Sequence, residues 1–379
     1  MLIAACLLIA ILGMLIIEKS AVQRGVRNLQ LRIHVNGTRG KSSVTEYIAA
    51  GLLNTRPEVM AKITGIIPKI LHNGEEHTIN RTGGARVQEQ FSVIRYAAKK
   101  RVNSLILECM SINPELQRME SSVFKPNIYV ITNIKDDHRE EMGNNIEEQA
   151  DAICQAIPEK CTVITNEILF LKKIREYASV KGSQVIVPPP SSLKSIEHLP
   201  YGVFPENIEL ALTVCEIAGA DRLLAREGIL KYVQSRESPL TTVHHDARKL
   251  IFLNAFTVND VESTAFFIQH WQGKIGYKGK ISIVLNTRAD RPIRTDLFAG
   301  WMAKGILTFE NVIVTGDHAM RAKYSLLKAG IDKRKLFVWR ARQIENLKEQ
   351  LFQIVGDGTL VVGIGNIGGD GFNILNKLR

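Results

Sequence analysis

The stretch His34-Val35-Asn36-Gly37-Thr38-Arg39-Gly40-Lys41-Ser42-Ser43-Val44-Thr45, HVNGTRGKSSVT, decides how the chain is read. Before it, LRIHV has the apolar run of a strand; after it, 41–54 has the pattern of a helix. A phosphate loop usually reads G-x-x-x-x-G-K-[ST], but the residue five before Gly40 is Val35, and the earlier glycine, Gly37, stands only three before it. The physical requirements of such a loop are nevertheless met. Glycines let the backbone close round oxygen atoms, Lys41 supplies positive charge, and the helix start turns its free N–H groups toward an anion. A lone glycine turn with a lysine is often only a turn. Strand, G-T-x-G-K-S and helix in register make 37–43 a nucleotide loop, with Ser42 placed to ligate Mg²⁺.

Working outward, SLILE reads as a strand ending at Glu108, and NIYVITN as another ending at Asn133. Ligands bind at the carboxyl ends of strands in open α/β sheets, so Glu108, Asn133, Asp137 and His138 are expected on one rim. Mg²⁺ takes few ligands from protein and wants oxygen, so Ser42 with Glu108 suffices. A helix over 146–157, the strand CTVIT and a proline loop at 187–192 continue the first series. From Leu250 a second series begins, with LIFLNAF, ISIVLNT, NVIVTGD, KLFVW and TLVVGIG as strands among helices. Strands alternating with helices argue for parallel sheets covered on both faces, and the boundary falls near 235–242.

The chain has 379 residues, 45% hydrophobic and 23% charged, enough for two cores and not the composition of a disordered protein. A net charge of +11 suits an anionic partner. Nucleic acid is excluded as that partner, because the basic residues lack interleaved aromatics and only 6% of residues are aromatic. Five cysteines without C-x-x-C spacing fit buried free thiols. Residues 1–17 carry no charge and are followed by Lys19, Arg24, Arg27 and Arg32. That pattern predicts a single-pass anchor in the cell membrane with the catalytic domains on the cytoplasmic side. Ala4, Ala5, Ala10 and Gly13 would let it pack against another apolar helix.

GTRGKSS, LECMSI, TNIKDDH and FPENIELAL occur in the order and spacing of the ATP-dependent amide ligases of the Mur ligase and folylpolyglutamate synthase type. The resemblance covers about 31–379. Within that superfamily the chain most resembles the ligase subunits of bacterial poly-γ-glutamate synthases, on the N-terminal apolar segment, the arginine in GTRGKSS and NTRADRPIRTD. It implies an anchor over 1–17, a basic linker over 18–30, a Mur-ligase-like central ATP-binding domain over 31–238 and a smaller Rossmann-like domain over 239–379. It also implies ATP and one or two Mg²⁺ as cofactors. The implied substrates are glutamate and the growing poly-γ-glutamate, joined through an acyl phosphate. Small membrane subunits are the implied partners, and homo-oligomerisation stays open.

By the same resemblance His138 adjoins a second Mg²⁺, Asn207 lies at the adenine and Arg236 at the phosphates or ribose. For Asn207 a plain helix N-cap is the alternative. The chain departs from the family in two places. Ala152 or Ile153 stands where many members carry a carbamylated lysine, so either the second metal site is altered or Asp151 or Glu148 substitutes as a metal ligand. NAFTVND replaces the motif N-D-S-K-A-T-N, leaving Asn259 and Asp260 as nucleotide contacts. Arg288, Asp290, Arg291 and Arg294, with Arg81 and Arg86 upstream, are candidates for binding an acidic substrate, since arginine forks suit carboxylates and phosphates. Two rival functions remain: a folylpolyglutamate-like ligase, and a membrane-tethered P-loop ATPase or kinase regulating polymer export, for which the second sheet has no use.

Overall fold

The computed structural model describes residues 2–65, 68–81, 85–136, 139–190, 203–236, 238–258, 261–289, 292–305 and 307–378. His138, Asp137, Asn259, Asp260, Asp290 and Arg291 lie outside them. The chain divides into two compact units, Met1–Arg236 and Glu237–Arg379.

The first unit is built on an eight-stranded sheet. In chain order the strands are β1 (Leu31–Asn36), β2 (Val59–Ile63), β3 (Lys69–His72), β4 (Glu75–Thr78), β5 (Ser104–Glu108), β6 (Ile128–Ile131), β7 (Thr162–Thr165) and β8 (Gln184–Ile186). Their spatial order is β4-β3-β2-β5-β1-β6-β7-β8. From β2 to β8 the pairings are parallel, while β3 and β4 add an antiparallel hairpin at one edge. β1 therefore sits where the chain order diverges to either side, with Val35 opposite Glu108 of β5 and Asn36 opposite Ile131 of β6. That register puts the loop after Asn36 between the rim residues of the two neighbouring strands.

Both faces of the parallel part of this sheet are covered, as parallel strands require. On one, helix Lys41–Leu53 packs with helices Pro205–Ile217 and Arg222–Ser235 around Tyr47, Ile48, Leu52, Leu210 and Ile229. On the other, helices Gln88–Lys99 and Pro114–Phe124 pack with the C-terminal end of helix Leu2–Asn28 around Val26, Leu29, Met60, Ile94 and Leu105.

That last helix corrects the expectation of a membrane anchor. No helix among the described residues is long and apolar enough to cross a membrane. Leu2–Asn28 runs as one 27-residue helix straight through the basic segment expected to be a linker. Its later turns belong to the domain: Val22 and Val26 are buried, and Glu18 pairs with Arg95 of helix Gln88–Lys99. Leu29, 1% exposed just past its end, closes this core. Leu29→Ala should cost about 2–5 kcal/mol, read as a lowered denaturation midpoint. A loss below about 1 kcal/mol, the size of an ordinary mutation, would mean that the end of the helix is not docked.

The second unit has β9 (Leu240–His245), β10 (Arg248–Asn254), β11 (Ile281–Thr287), β12 (Phe309–Gly316), β13 (Leu336–Val338) and β14 (Leu360–Gly365) in the order β13-β12-β11-β14-β10-β9. Five of these strands are parallel, and β9 pairs antiparallel with β10 as an added edge. Phe252, Val284, Ile313, Leu351 and Val361 belong to its core.

Candidate active site

The loop after β1 is shaped by two left-handed glycines. Gly37 has φ +125°, and a Cβ there would stand 2.2 Å from Thr132 Oγ1. Gly40, at φ +81°, caps helix Lys41–Leu53, and a Cβ on it would stand 3.0 Å from the Asn207 amide nitrogen. Asn133 holds the turn from the neighbouring strand end. Its carbonyl accepts from Thr38 N–H at 2.9 Å, and its Oδ1 accepts from Thr38 Oγ1 at 2.8 Å and Arg39 N–H at 3.1 Å. Its Nδ2 donates to Arg39 O at 2.9 Å. Thr132 Oγ1 also donates to Arg39 O, at 2.7 Å. Asn36 Oδ1 takes the Gly37 N–H at 2.8 Å. Lys41 Nζ lies over the loop, 2.7 Å from Gly37 O and 3.2 Å from Thr38 O. The first N–H groups of the helix have no acceptor within it and face the same concavity, an arrangement that suits phosphate.

Beside the loop, Ser42 Oγ donates to Glu108 Oε1 at 2.9 Å, and Thr64 N–H donates to Glu108 Oε2 at 2.6 Å. A hydroxyl from the start of helix Lys41–Leu53 and a carboxylate from the end of β5 thus meet next to the phosphate cradle, a donor set of hard oxygens that fits Mg²⁺. Glu108 is 3% exposed and its carbonyl accepts from Gln90 Nε2 at 2.9 Å, so its backbone is fixed as well. Glu108→Gln should raise the Mg²⁺ concentration needed for half-maximal rate more than it raises the KM for the amino-acid substrate. An unchanged Mg²⁺ dependence would remove Glu108 from the metal shell.

Beneath the loop, His34, Cys109 and Glu120 bring one ligand atom each within 4.8 Å of one another. The carboxylate of this buried group supports the segment after β5. Glu120 already accepts from Ser111 N–H, Ser111 Oγ and Gln90 Nε2, and His34 Nε2 lies 3.5 Å away. Burial pulls the Glu120 carboxyl upward, but the nearby His34 ring and the bonds from Ser111 and Gln90 outweigh it and hold the group below its ordinary value. Burial pushes the Cys109 thiol well up, which keeps it protonated.

Of the residues chosen from sequence, Gly37, Thr38, Arg39, Gly40, Lys41, Ser42, Glu108, Asn133 and Asn207 converge here, with Ser43 following in the helix. Phe204 and not Asn207 is the N-cap of helix Pro205–Ile217, which leaves the Asn207 amide against Gly40. Arg236 lies beside Glu46 and Tyr47 of the helix that follows the loop; burial works against its charge, and those groups restore it. Asp151 is not brought to the rim. It pairs with Lys173 Nζ at 3.0 Å and accepts from Tyr177 Oη at 3.1 Å. Glu148 accepts from Asn144 N–H and Asn145 Nδ2, capping its own helix. Neither carboxylate is therefore placed to replace a carbamate.

In the second unit Arg294 Nη1 donates to Asn366 Oδ1 at 2.9 Å, and a side chain at Gly368 would meet the Arg288 guanidinium. Both arginines flank the loop after β14. Arg81 is paired with Glu89, and Arg86 is exposed. Sequence reasoning missed Thr64, Gln90, Thr132 and Glu167, the last of which accepts from Ile134 N–H at 2.8 Å and fixes the segment after Asn133. Only the signal of polar residues at strand ends and on buried helix faces could have pointed to them.

Residues 35–196 match the Mur ligase middle domain, and 240–379 match the poly-gamma-glutamate synthase CapB C-terminal domain. The chain is 29% identical to the PGA synthase CapB of Bacillus subtilis (strain 168), over 100% of this chain and 97% of that protein. It is also 29% identical to the capsule biosynthesis protein CapB of Bacillus anthracis, over 93% of this chain and 77% of that one. Among solved structures, a bifunctional folylpolyglutamate synthase/dihydrofolate synthase from Yersinia pestis, complexed with AMPPNP and Mn ion, aligns with a TM-score of 0.66 at 14% identity. That alignment covers 94% of this chain and 93% of that one and shows a shared fold.

Proposed function

We infer that the chain is an ATP-dependent amide ligase that makes poly-γ-glutamate, because it is similar along its length to the CapB poly-γ-glutamate synthases and matches their C-terminal domain and the Mur ligase middle domain. A substrate carboxylate oxygen attacks the γ-phosphorus of ATP, and the bond to the β-phosphate oxygen breaks to release ADP. The amine of a second glutamate then attacks the acyl carbon, the bond to phosphate breaks, and the amine loses a proton as the amide forms.

The observation that carries this reading is the convergence of the glycine loop, Lys41 and the Ser42–Glu108 pair at one rim of the first sheet. Phosphoryl transfer builds negative charge on oxygens, so the site needs fixed positive charge and N–H groups more than it needs a nucleophile. Lys41 supplies that charge at the β/γ-phosphates, and the start of helix Lys41–Leu53 supplies the N–H groups. Ser42 and Glu108 would hold Mg²⁺, which when bound neutralises phosphate oxygens. Asn207 lies at the nucleotide side of the loop.

The test is to incubate the purified full chain with ATP, Mg²⁺ and labelled glutamate. ADP release that depends on glutamate, together with labelled acid-resistant polymer, is expected. Release of AMP, or hydrolysis indifferent to glutamate, would overturn the reading; the latter is the behaviour of a regulatory ATPase.

A further inference from the structure

Lys62 lies on β2, in register with Leu107 of β5, and is 0% exposed. An ammonium buried so completely is costly to desolvate and is held only where a partner compensates. Its Nζ is 2.7 Å from Glu89 Oε1 and 3.4 Å from Met110 Sδ. Glu89 in turn receives both N–H groups of one edge of Arg81, with Nε donating to Oε2 at 2.6 Å and Nη2 to Oε1 at 2.8 Å. Burial pulls Glu89 upward, but the bonds from Arg81 and Lys62 outweigh it and hold its carboxyl below the ordinary value. The same two elements reach the candidate metal carboxylate. Gln90, next to Glu89, donates to Glu108 O, and Thr64, two residues beyond Lys62, donates to Glu108 Oε2.

An arginine paired with one glutamate is neutral and would not attract an anion. The buried lysine changes that balance, because Lys62 and Arg81 both bond to the one Glu89 carboxylate; burial lowers the Lys62 pKa, and Glu89, with Glu120 farther off, acts against that. The bonds to Glu89 use one edge of the Arg81 fork, and the guanidinium has five N–H donors, so its other edge can take a second carboxylate. The Arg81 side chain is 20% exposed, whereas Lys62 is sealed in. Charge is stored inside and presented at the surface.

We propose that Arg81 is a binding residue for a carboxylate of the glutamate substrate, and that Glu89 and Lys62 are positioning residues that aim and charge it. The proposal rests on the ligase reading above. A chain of γ-linked glutamates carries a free α-carboxylate on each unit, so one that is not being activated is available to this post.

Steady-state kinetics of the full chain, with racemic glutamate and a γ-linked glutamate oligomer, test the proposal. Arg81→Ala and Glu89→Gln should each raise the KM for glutamate or oligomer by about tenfold, the scale of one bidentate charged contact, with the KM for ATP unchanged. Arg81→Lys should not restore it, since an ammonium cannot bond to Glu89 and a substrate through two forks. Glu89→Gln preserves shape, and so decides the matter if Arg81→Ala fails to fold. Equal rises in both KM values, or a fall in kcat alone, would overturn the proposal and leave a structural role. A wild type without glutamate-dependent ADP release would instead overturn the ligase reading itself. An active wild type with unaltered variants would overturn only the carboxylate post.

Discussion

Lys41→Ala is expected to lower the rate of amide formation by about 10²-fold or more while the protein stays folded, the loss usual for removing one preorganised electrostatic stabiliser. The expectation rests on position. Lys41 Nζ is bound to the carbonyls of Gly37 and Thr38, over the turn that leads into the start of helix Lys41–Leu53. The turn itself is held by Asn133 and Thr132, so truncating Lys41 removes a cation without removing the scaffold. Single-turnover ADP formation, with thermal unfolding as a control, reads the effect. More than about a tenth of the wild-type rate would contradict the scale of loss just given and remove Lys41 from the phosphate site.

The second large effect belongs to Gly37→Ala. The new methyl would sit 2.2 Å from Thr132 Oγ1, 2.9 Å from Asn133 O and 3.0 Å from Thr132 N, so backbone on the neighbouring strand end must move. At φ +125° an L side chain is strained even without those neighbours. A strained residue of this kind costs about 1–3 kcal/mol, and the displaced loop should lose nucleotide affinity by about 10²-fold. Gly40→Ala is the internal comparison. At φ +81° a side chain there is strained too, but its methyl would meet only the end of the Asn207 side chain, at 3.0 Å, which can shift, and no backbone. Nucleotide titration of both variants should place Gly37→Ala well below Gly40→Ala. Wild-type affinity in Gly37→Ala would mean that the loop geometry does not govern binding.

Much of this site was legible because its parts are local in sequence. Gly37 to Ser42 form one loop, and Glu108 and Asn133 end strands whose apolar runs are plain. What pairs with them is not local. Gln90 and Glu120 meet Glu108 and Ser111 from two different helices, and no periodicity predicts which polar residue on a helix face will be buried. Asp151 illustrates the opposite error. Its position in the chain suggested a metal ligand, but helix Ile146–Gln155 turns it toward Lys173 and Tyr177. The hairpin of β3 and β4 carried a readable signal, Asn73-Gly74 with φ of 51° and 88°, the turn that two-residue hairpins favour. Its strands were overlooked because they are short and β4 is exposed throughout. The anchor failed for a different reason. Seventeen uncharged residues fix an apolar composition, but Val22, Val26 and Leu29 decide that the helix is continuous with the first unit.

The bonds made by Asn133 bear on the thermodynamics of ligand capture. Ordering a flexible turn around a phosphate would consume part of the association free energy, about 0.5–1.5 kcal/mol for each rotamer-rich side chain immobilised. Here the main-chain and side-chain oxygens of a single residue on the adjoining strand end already restrain Thr38 and Arg39. The association entropy of a nucleotide should therefore carry little contribution from this segment, and the amide protons of Thr38 and Arg39 should exchange slowly with solvent deuterium. Asn133→Ala should transfer that ordering to the moment of capture, appearing in calorimetry as a more unfavourable entropy and faster exchange at those amides.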